Sequence, residues 1–205
     1  LDNELDARPT NWGKFLEPLL FSLLDGDYTY NAMDTLTHPE HEYWKGTPDG
    51  FKITENKTVV DTKCPFTLES FCKLISPLYN DLEGIDAMNA LRNGYTDKTG
   101  LFQAPHGDAE KYYWQLVSNA CIDDCTHAEL IVYCPYESEL SVIQAQAIQS
   151  GSPSAYFIAN GSPKSLPSIP DDGFYQNINI ISFEIPQSDK DLLTETVKKA
   201  SKYLI

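Results

Sequence analysis

Apolar residues Phe15, Leu16, Leu19, Leu20 and Leu23 recur at three- and four-residue intervals, which predicts a helix over Asn11–Leu24 with one core-facing stripe. Thr10 or Asn11 can cap its start, Gly26 follows its end, and Pro18 should bend its early part. After a polar connection the period shortens to two, giving strands near Glu42–Lys45, Gly50–Thr54 and Thr58–Cys64, the last closed by Pro65. Glu55, Asn56 and Lys57 fall between two β-rich runs and read as the turn of a hairpin. Helical spacing resumes after Thr67, a candidate N-cap, and is expected to run to about Tyr79 with Phe71, Leu74, Ile75 and Leu78 inward. A weaker helix spans Ile85–Asn93 and is stopped by Gly94.

Residues 96–108 are turn-rich and read as an excursion before a helix over Ala109–Ile122 and a nearly continuous apolar strand over Ala128–Tyr133. Residues 149–173 are dense in Ser, Pro and Gly around the short run Tyr156-Phe157-Ile158, so an exposed loop around one edge strand is expected. A last strand follows over Ile178–Ile185. The closing helix, Asp189–Leu204, has Ser188 as cap and Leu192, Leu193, Val197, Ala200 and Leu204 as its core stripe. Strands alternating with helices indicate an α/β fold. With 205 residues, 41% of them hydrophobic, the chain can bury one sizeable core and reads as a single domain over 1–205.

No run approaches the length of a membrane span, and the first residues lack the order of a secretory signal, so a cytoplasmic protein that does not engage membranes is expected. Cys64, Cys72, Cys121, Cys125 and Cys134 form an odd set without close pairing, which fits reduced thiols. The spacing of Cys121, Cys125, His127 and Cys134 matches no zinc or iron–sulfur pattern, and His38 and His41, separated by a proline, read as a solvated loop. The formal charge of -15 runs against the basic footprint usual for nucleic-acid binding. It keeps a protein soluble, and a bound divalent cation can reverse the sign locally.

One hairpin carries the chemistry. In Thr58-Val59-Val60-Asp61-Thr62-Lys63 the side-chain period of two puts Asp61 and Lys63 on one face, and the returning strand brings Asp49 toward Asp61. Two carboxylates converging on one point call for a divalent cation. Mg²⁺ suits them, Mn²⁺ can substitute, and one or two ions fit such a site. Asp49, Asp61 and the Thr62 backbone carbonyl would be metal ligands, with Glu17 reaching the cluster through a water. Lys63 would orient the attacking water of a phosphodiester hydrolysis, and Gln115 would position that water or a phosphate oxygen.

Trp12-Gly13-Lys14-Phe15-Leu16-Glu17, Thr47-Pro48-Asp49-Gly50, Asp61-Thr62-Lys63-Cys64-Pro65-Phe66 and Tyr112-Tyr113-Trp114-Gln115 resemble, in order, the motifs of the lambda-exonuclease or YqaJ-type branch of the PD-(D/E)XK nucleases. The resemblance covers about Thr10–Tyr133. It implies a restriction-endonuclease-like core, a mixed central β-sheet flanked by helices, and Mg²⁺-dependent 5′ to 3′ digestion of one strand from the ends of linear double-stranded DNA. It also implies a ring-shaped homotrimer and a single-strand annealing protein as partner in phage recombination. Glu17, Asp49 and Asp61 correspond to the family's acids, Lys63 to its lysine and Gln115 to its glutamine, with Asp61 standing where Glu is usual. The sequence starts only eleven residues before Trp12, so the family's upstream helices are expected to be lacking. The stretch between Lys63 and Gln115 is long, which implies an insertion near Asp81–Asp108. An endonuclease or a RecB-like nuclease module would use the same residues. A catalytically silent acidic interaction protein is the alternative from another class.

Overall fold

The computed structural model of the chain describes residues 2–31 and 33–203, with side chains from Ala7 onward. In chain order the elements are α1 (Asp2–Leu23), β1 (Tyr28–Tyr30), β2 (Leu36–His38), β3 (His41–Gly46), β4 (Gly50–Ile53), β5 (Lys57–Lys63), α2 (Leu68–Ile75), α3 (Gly84–Asn93), β6 (Tyr95–Thr96), β7 (Phe102–Gln103), α4 (Ala109–Ile122), β8 (His127–Tyr133), α5 (Leu140–Ser150), α6 (Tyr156–Asn160), β9 (Ile178–Glu184) and α7 (Gln187–Ser201). Five strands form a mixed sheet in the order β1-β4-β5-β8-β9, flanked by helices, so the expected α/β class holds. Two short hairpins, β2–β3 and β6–β7, stand outside it. Among the described residues no helix is long and apolar enough to cross a membrane.

The chain divides into two compact units, one of Leu1–Leu23, Thr62–Ser76 and Ile131–Asn179, the other of Leu24–Asp61, Pro77–Leu130 and Ile180–Ile205. It passes from one to the other within β5, β8 and β9. In the first unit α1 buries Trp12, Leu16 and Leu20, α2 buries Phe71, Leu74 and Ile75, and α5 buries Leu140, Ile143 and Ala147. Trp12 meets Phe66 edge-on at 6.1 Å, and Phe66 meets Phe157 at 5.9 Å. In the second unit Val59 and Val60 of β5 are buried, as are Met88 and Leu91 of α3 and Tyr113, Leu116 and Val117 of α4.

Several elements differ from the sequence expectation. The first helix starts at Asp2, not Asn11, so Thr10 and Asn11 are interior positions and not caps. Ala7 and Arg8 are good helix formers without an apolar stripe, and Pro9 lies inside the helix. Helix α2 is capped as expected, Thr67 Oγ1 accepting from the Ser70 N–H at 3.2 Å, but ends at Ile75 where Pro77 approaches, and a 3-10 turn covers Leu78–Asn80. Tyr156-Phe157-Ile158 is helical, in α6, and not an edge strand; a run that short does not separate the two by periodicity. Prolines open 3-10 turns at Pro153 and Pro163, and Ala155, Ile158, Leu166 and Ile169 are buried, so 149–173 is not a uniformly exposed loop. Helix α5, which the Ser- and Gln-rich sequence hides, precedes it.

The closing helix begins at Gln187 behind Pro186, placing Ser188 inside its first turn and not at the cap. None of its residues is fully buried and Leu192 is 55% exposed; Leu204 lies outside the described residues. Polar contacts fix its start instead. The Tyr113 hydroxyl donates to Asp189, and Lys190 Nζ donates to the Cys125 carbonyl.

Candidate active site

β5 is the middle strand of the sheet. Its β-branched residues Thr58, Val59 and Val60 suit a pleated, buried surface, and Asp61 follows them at 1% exposure. β4 and β5 are antiparallel, with Gly50 opposite Val60, Phe51 opposite Val59, Lys52 opposite Thr58 and Ile53 opposite Lys57. The pairing ends at Gly50 and Val60; Asp49, in the bend just before β4, and Asp61, just after Val60, are the next residues along the two segments. The turn ahead of β4 pins Asp49: its carbonyl accepts from the Asn31 N–H at 2.9 Å, and Asn31 Nδ2 donates to the Pro48 carbonyl, also at 2.9 Å.

Lys63 follows Asp61 by two residues on the same strand, half-buried and on the same face. Strand alternation puts Asp61 and Lys63 on one face of β5 and the buried Thr62 side chain on the other. Glu17 on α1 and Gln115 on α4 are both half-buried and sit on helices outside this register.

Asp49 and Asp61 both offer carboxylate oxygens, the hard donors that divalent cations take. Their oxygen donors fit a hard divalent ion such as Mg²⁺. Among the described residues no three His, Cys, Asp or Glu side chains are grouped to hold a metal. A cation at Asp49 and Asp61 would therefore complete its shell with a backbone carbonyl and water, which is how Mg²⁺ is commonly held.

Other metal and thiol candidates fall away. None of the five cysteines is in a disulfide; burial pushes Cys125 up to about 11 and Cys134 up to about 12, the wrong direction for a nucleophile. His38 and His41 are not in a solvated loop. They lie on β2 and β3, where His38 stacks on His41 at 4.8 Å and on Trp44 at 4.9 Å, and Trp44 Nε1 donates to Ser118 Oγ at 2.9 Å.

Two polar clusters escaped the sequence reading. Glu129, 3% exposed on β8, accepts from the Tyr28 hydroxyl at 2.6 Å, from Lys52 Nζ at 3.3 Å and from Ser182 Oγ at 3.2 Å. Lys52 pairs with Thr58, so this cluster occupies the sheet face opposite Asp61. Its only sequence signal is an acid inside an apolar run. The second is Arg92, whose guanidinium lies 3.8 Å over the Tyr113 ring and pairs with Glu110 at 2.6 Å. Its sequence neighbours give no hint of either partner.

Burial and the hydrogen bond to Glu129 push the Tyr28 phenol up to about 12. A group whose folded pKa is raised contributes its stability below the unfolded value, near 10, and loses it as pH rises toward 12. Wild-type unfolding free energy is therefore expected to fall more steeply than that of Tyr28→Phe between about pH 10 and 12. Denaturant titrations at stepped pH check this, and parallel curves for the two proteins would refute it.

No protein-family model and no curated protein matches the chain. Among solved structures it is similar to a phage-related exonuclease from Haemophilus somnus 129PT, with a TM-score of 0.51 and 18% identity, over 96% of this chain and 70% of that one. At that identity the likeness speaks for the fold alone, here a mixed five-stranded sheet flanked by helices.

Proposed function

We propose that this protein is a divalent-metal-dependent deoxyribonuclease of the lambda-exonuclease type, digesting linear double-stranded DNA from its ends in the 5′ to 3′ direction during phage-type recombination. The observation that carries this reading is the β4–β5 register, whose last pair, Gly50 with Val60, is followed by Asp49 on one segment and the buried Asp61 on the other. Its occurrence on a fold shared with a phage-related exonuclease supports it.

Asp49, Asp61 and the Thr62 carbonyl would hold the cation, with Glu17 assisting through a water. When bound, a divalent cation neutralises phosphoryl charge and lowers the pKa of water. Lys63 would orient the attacking water and offset charge gathering on the phosphoryl oxygens. Gln115 would hold the water or a phosphate oxygen in place. Fixing nucleophile and phosphate in one geometry supplies much of the acceleration in reactions of this kind.

End-labelled linear duplex DNA and a closed circle, incubated with protein and Mg²⁺, test the reading. Loss of the linear DNA alone is the expected outcome, with 5′ label released as small products. Cutting of the circle would shift the assignment to an endonuclease or RecB-like module. Survival of both would favour an acidic binding protein, the reading that the -15 charge supports.

A further inference from the structure

The β2–β3 hairpin stands outside the main sheet and packs on α4, all within the second unit. Its turn is held by a bond that only a neutral histidine can make. His38 Nδ1 accepts from the Glu40 N–H at 3.1 Å, so this nitrogen carries no proton. The ring stacks on His41 at 4.8 Å, with 24° between planes, and on Trp44 at 4.9 Å, with 12°. His41 stacks in turn on Tyr43 at 5.5 Å, and its Nε2 is buried without a hydrogen-bond partner among the described residues. Trp44, 5% exposed, reaches α4 through the bond from its Nε1–H to Ser118 Oγ. The strand pairing slips between Thr37 and His38, so the histidines sit at the irregular end of the ladder.

We propose that this hairpin is an acid-operated latch on α4: a proton on His38 releases the turn, parts the ring stack and frees Trp44 from Ser118. A proton on Nδ1 would point at the Glu40 N–H, turning a hydrogen bond into a contact between two donors. The charge would also stand beside His41, whose buried Nε2 offers it no acidic partner. Among the described residues the other charges acting on His38 are Lys198 of α7, which adds repulsion, and Glu40, which opposes it. α4 presents the uncharged Ser118 hydroxyl. The Trp44 face would attract the cation, but it cannot restore the acceptor that the Glu40 N–H loses. Burial first, and then His41, hold His38 below its ordinary value of about 6.5. With the hairpin open the ring regains that value, so closure is fully favoured above about 6.5 and is lost as pH falls through the lower value of the closed state. The inference stands apart from the nuclease reading and needs no hydrolysis.

The test follows the isotope-labelled full chain by NMR from about pH 7.5 to about pH 5, reading the His38 ring and the indole N–H groups of Trp12, Trp44 and Trp114. His38 should titrate below about 6.5. Exchange protection of the Trp44 indole, corrected for the intrinsic pH dependence of exchange, should fall with it and approach about a tenfold loss per pH unit, the slope for one proton. Trp12 and Trp114 should keep their protection, which separates a local opening from acid unfolding. His38→Phe keeps a ring in the stack and should remove the pH dependence. His41→Phe should move the His38 midpoint up toward about 6.5, and it carries the test if circular dichroism shows that His38→Phe does not fold. A His38 midpoint at or above about 6.5, a midpoint unmoved by His41→Phe, a Trp44 indole indifferent to pH, equal loss at all three indoles, or a Trp44 response that persists in His38→Phe would overturn the proposal.

Discussion

Asp61→Asn is expected to lower Mg²⁺-dependent digestion of linear duplex DNA by about a thousandfold or more, a barrier increase of roughly 4 kcal/mol. The substitution keeps the size of the side chain and removes the charge that would attract the cation. Lys63→Ala should cost about 10²–10³-fold, the range for removing one group that stabilises transition-state charge. The two variants separate in a second measurement. Mg²⁺ should raise the melting temperature of wild type and of Lys63→Ala, because a ligand that binds only the folded state stabilises it, but should leave Asp61→Asn nearly unmoved. Full activity in Asp61→Asn would remove this carboxylate from the chemistry altogether.

Glu129→Ala is expected to destabilise the protein by about 3–5 kcal/mol, the range for breaking a buried ion pair from one side. Lys52, whose side chain is 26% exposed, would lose its carboxylate partner, and the Tyr28 and Ser182 hydroxyls would lose their shared acceptor. The Lys52 ammonium would keep only its position 4.8 Å over the Tyr28 ring. Glu129→Gln retains the shape and one acceptor and should cost less. Urea midpoints at neutral pH, with the slope checked for constancy, measure both. A loss below about 1 kcal/mol in Glu129→Ala would show that water enters and solvates Lys52 after all.

The hairpin that carries the acids was legible because β-branched alternation fixes which residues share a face. Its turn was read one residue late, over Glu55–Lys57. That placement would pair Thr54 with Thr58; in the structure Ile53 pairs with Lys57 and Gly50 with Val60, so Asp49 and Asp61 come next along the two segments. Moving the turn by one residue slides the register by two, so every side chain keeps its face and only the partner changes. Helix α4 matches its expected bounds, Ala109–Ile122, because its apolar spacing is dense and a turn-rich stretch precedes it. Helices α5 and α6 were illegible for the opposite reason: polar and small residues dilute one stripe, and the other is a single turn. The face of α7 was misjudged because amphipathic spacing says which side would be buried and not whether anything covers it. Glu129 depends on three side chains brought together from three other strands, Tyr28 on β1, Lys52 on β4 and Ser182 on β9, and local pattern holds no trace of such a meeting.

On the proposed reading, the position of Asp61 on the innermost strand would also couple catalysis to endurance. Central strands open only with the whole molecule, whereas hairpin tips and terminal helices open at little cost. Fraying of the exposed final helix should leave the acids aligned. On the proposed reading, hydrolysis should then be lost together with the tertiary structure of the unit that holds Asp61.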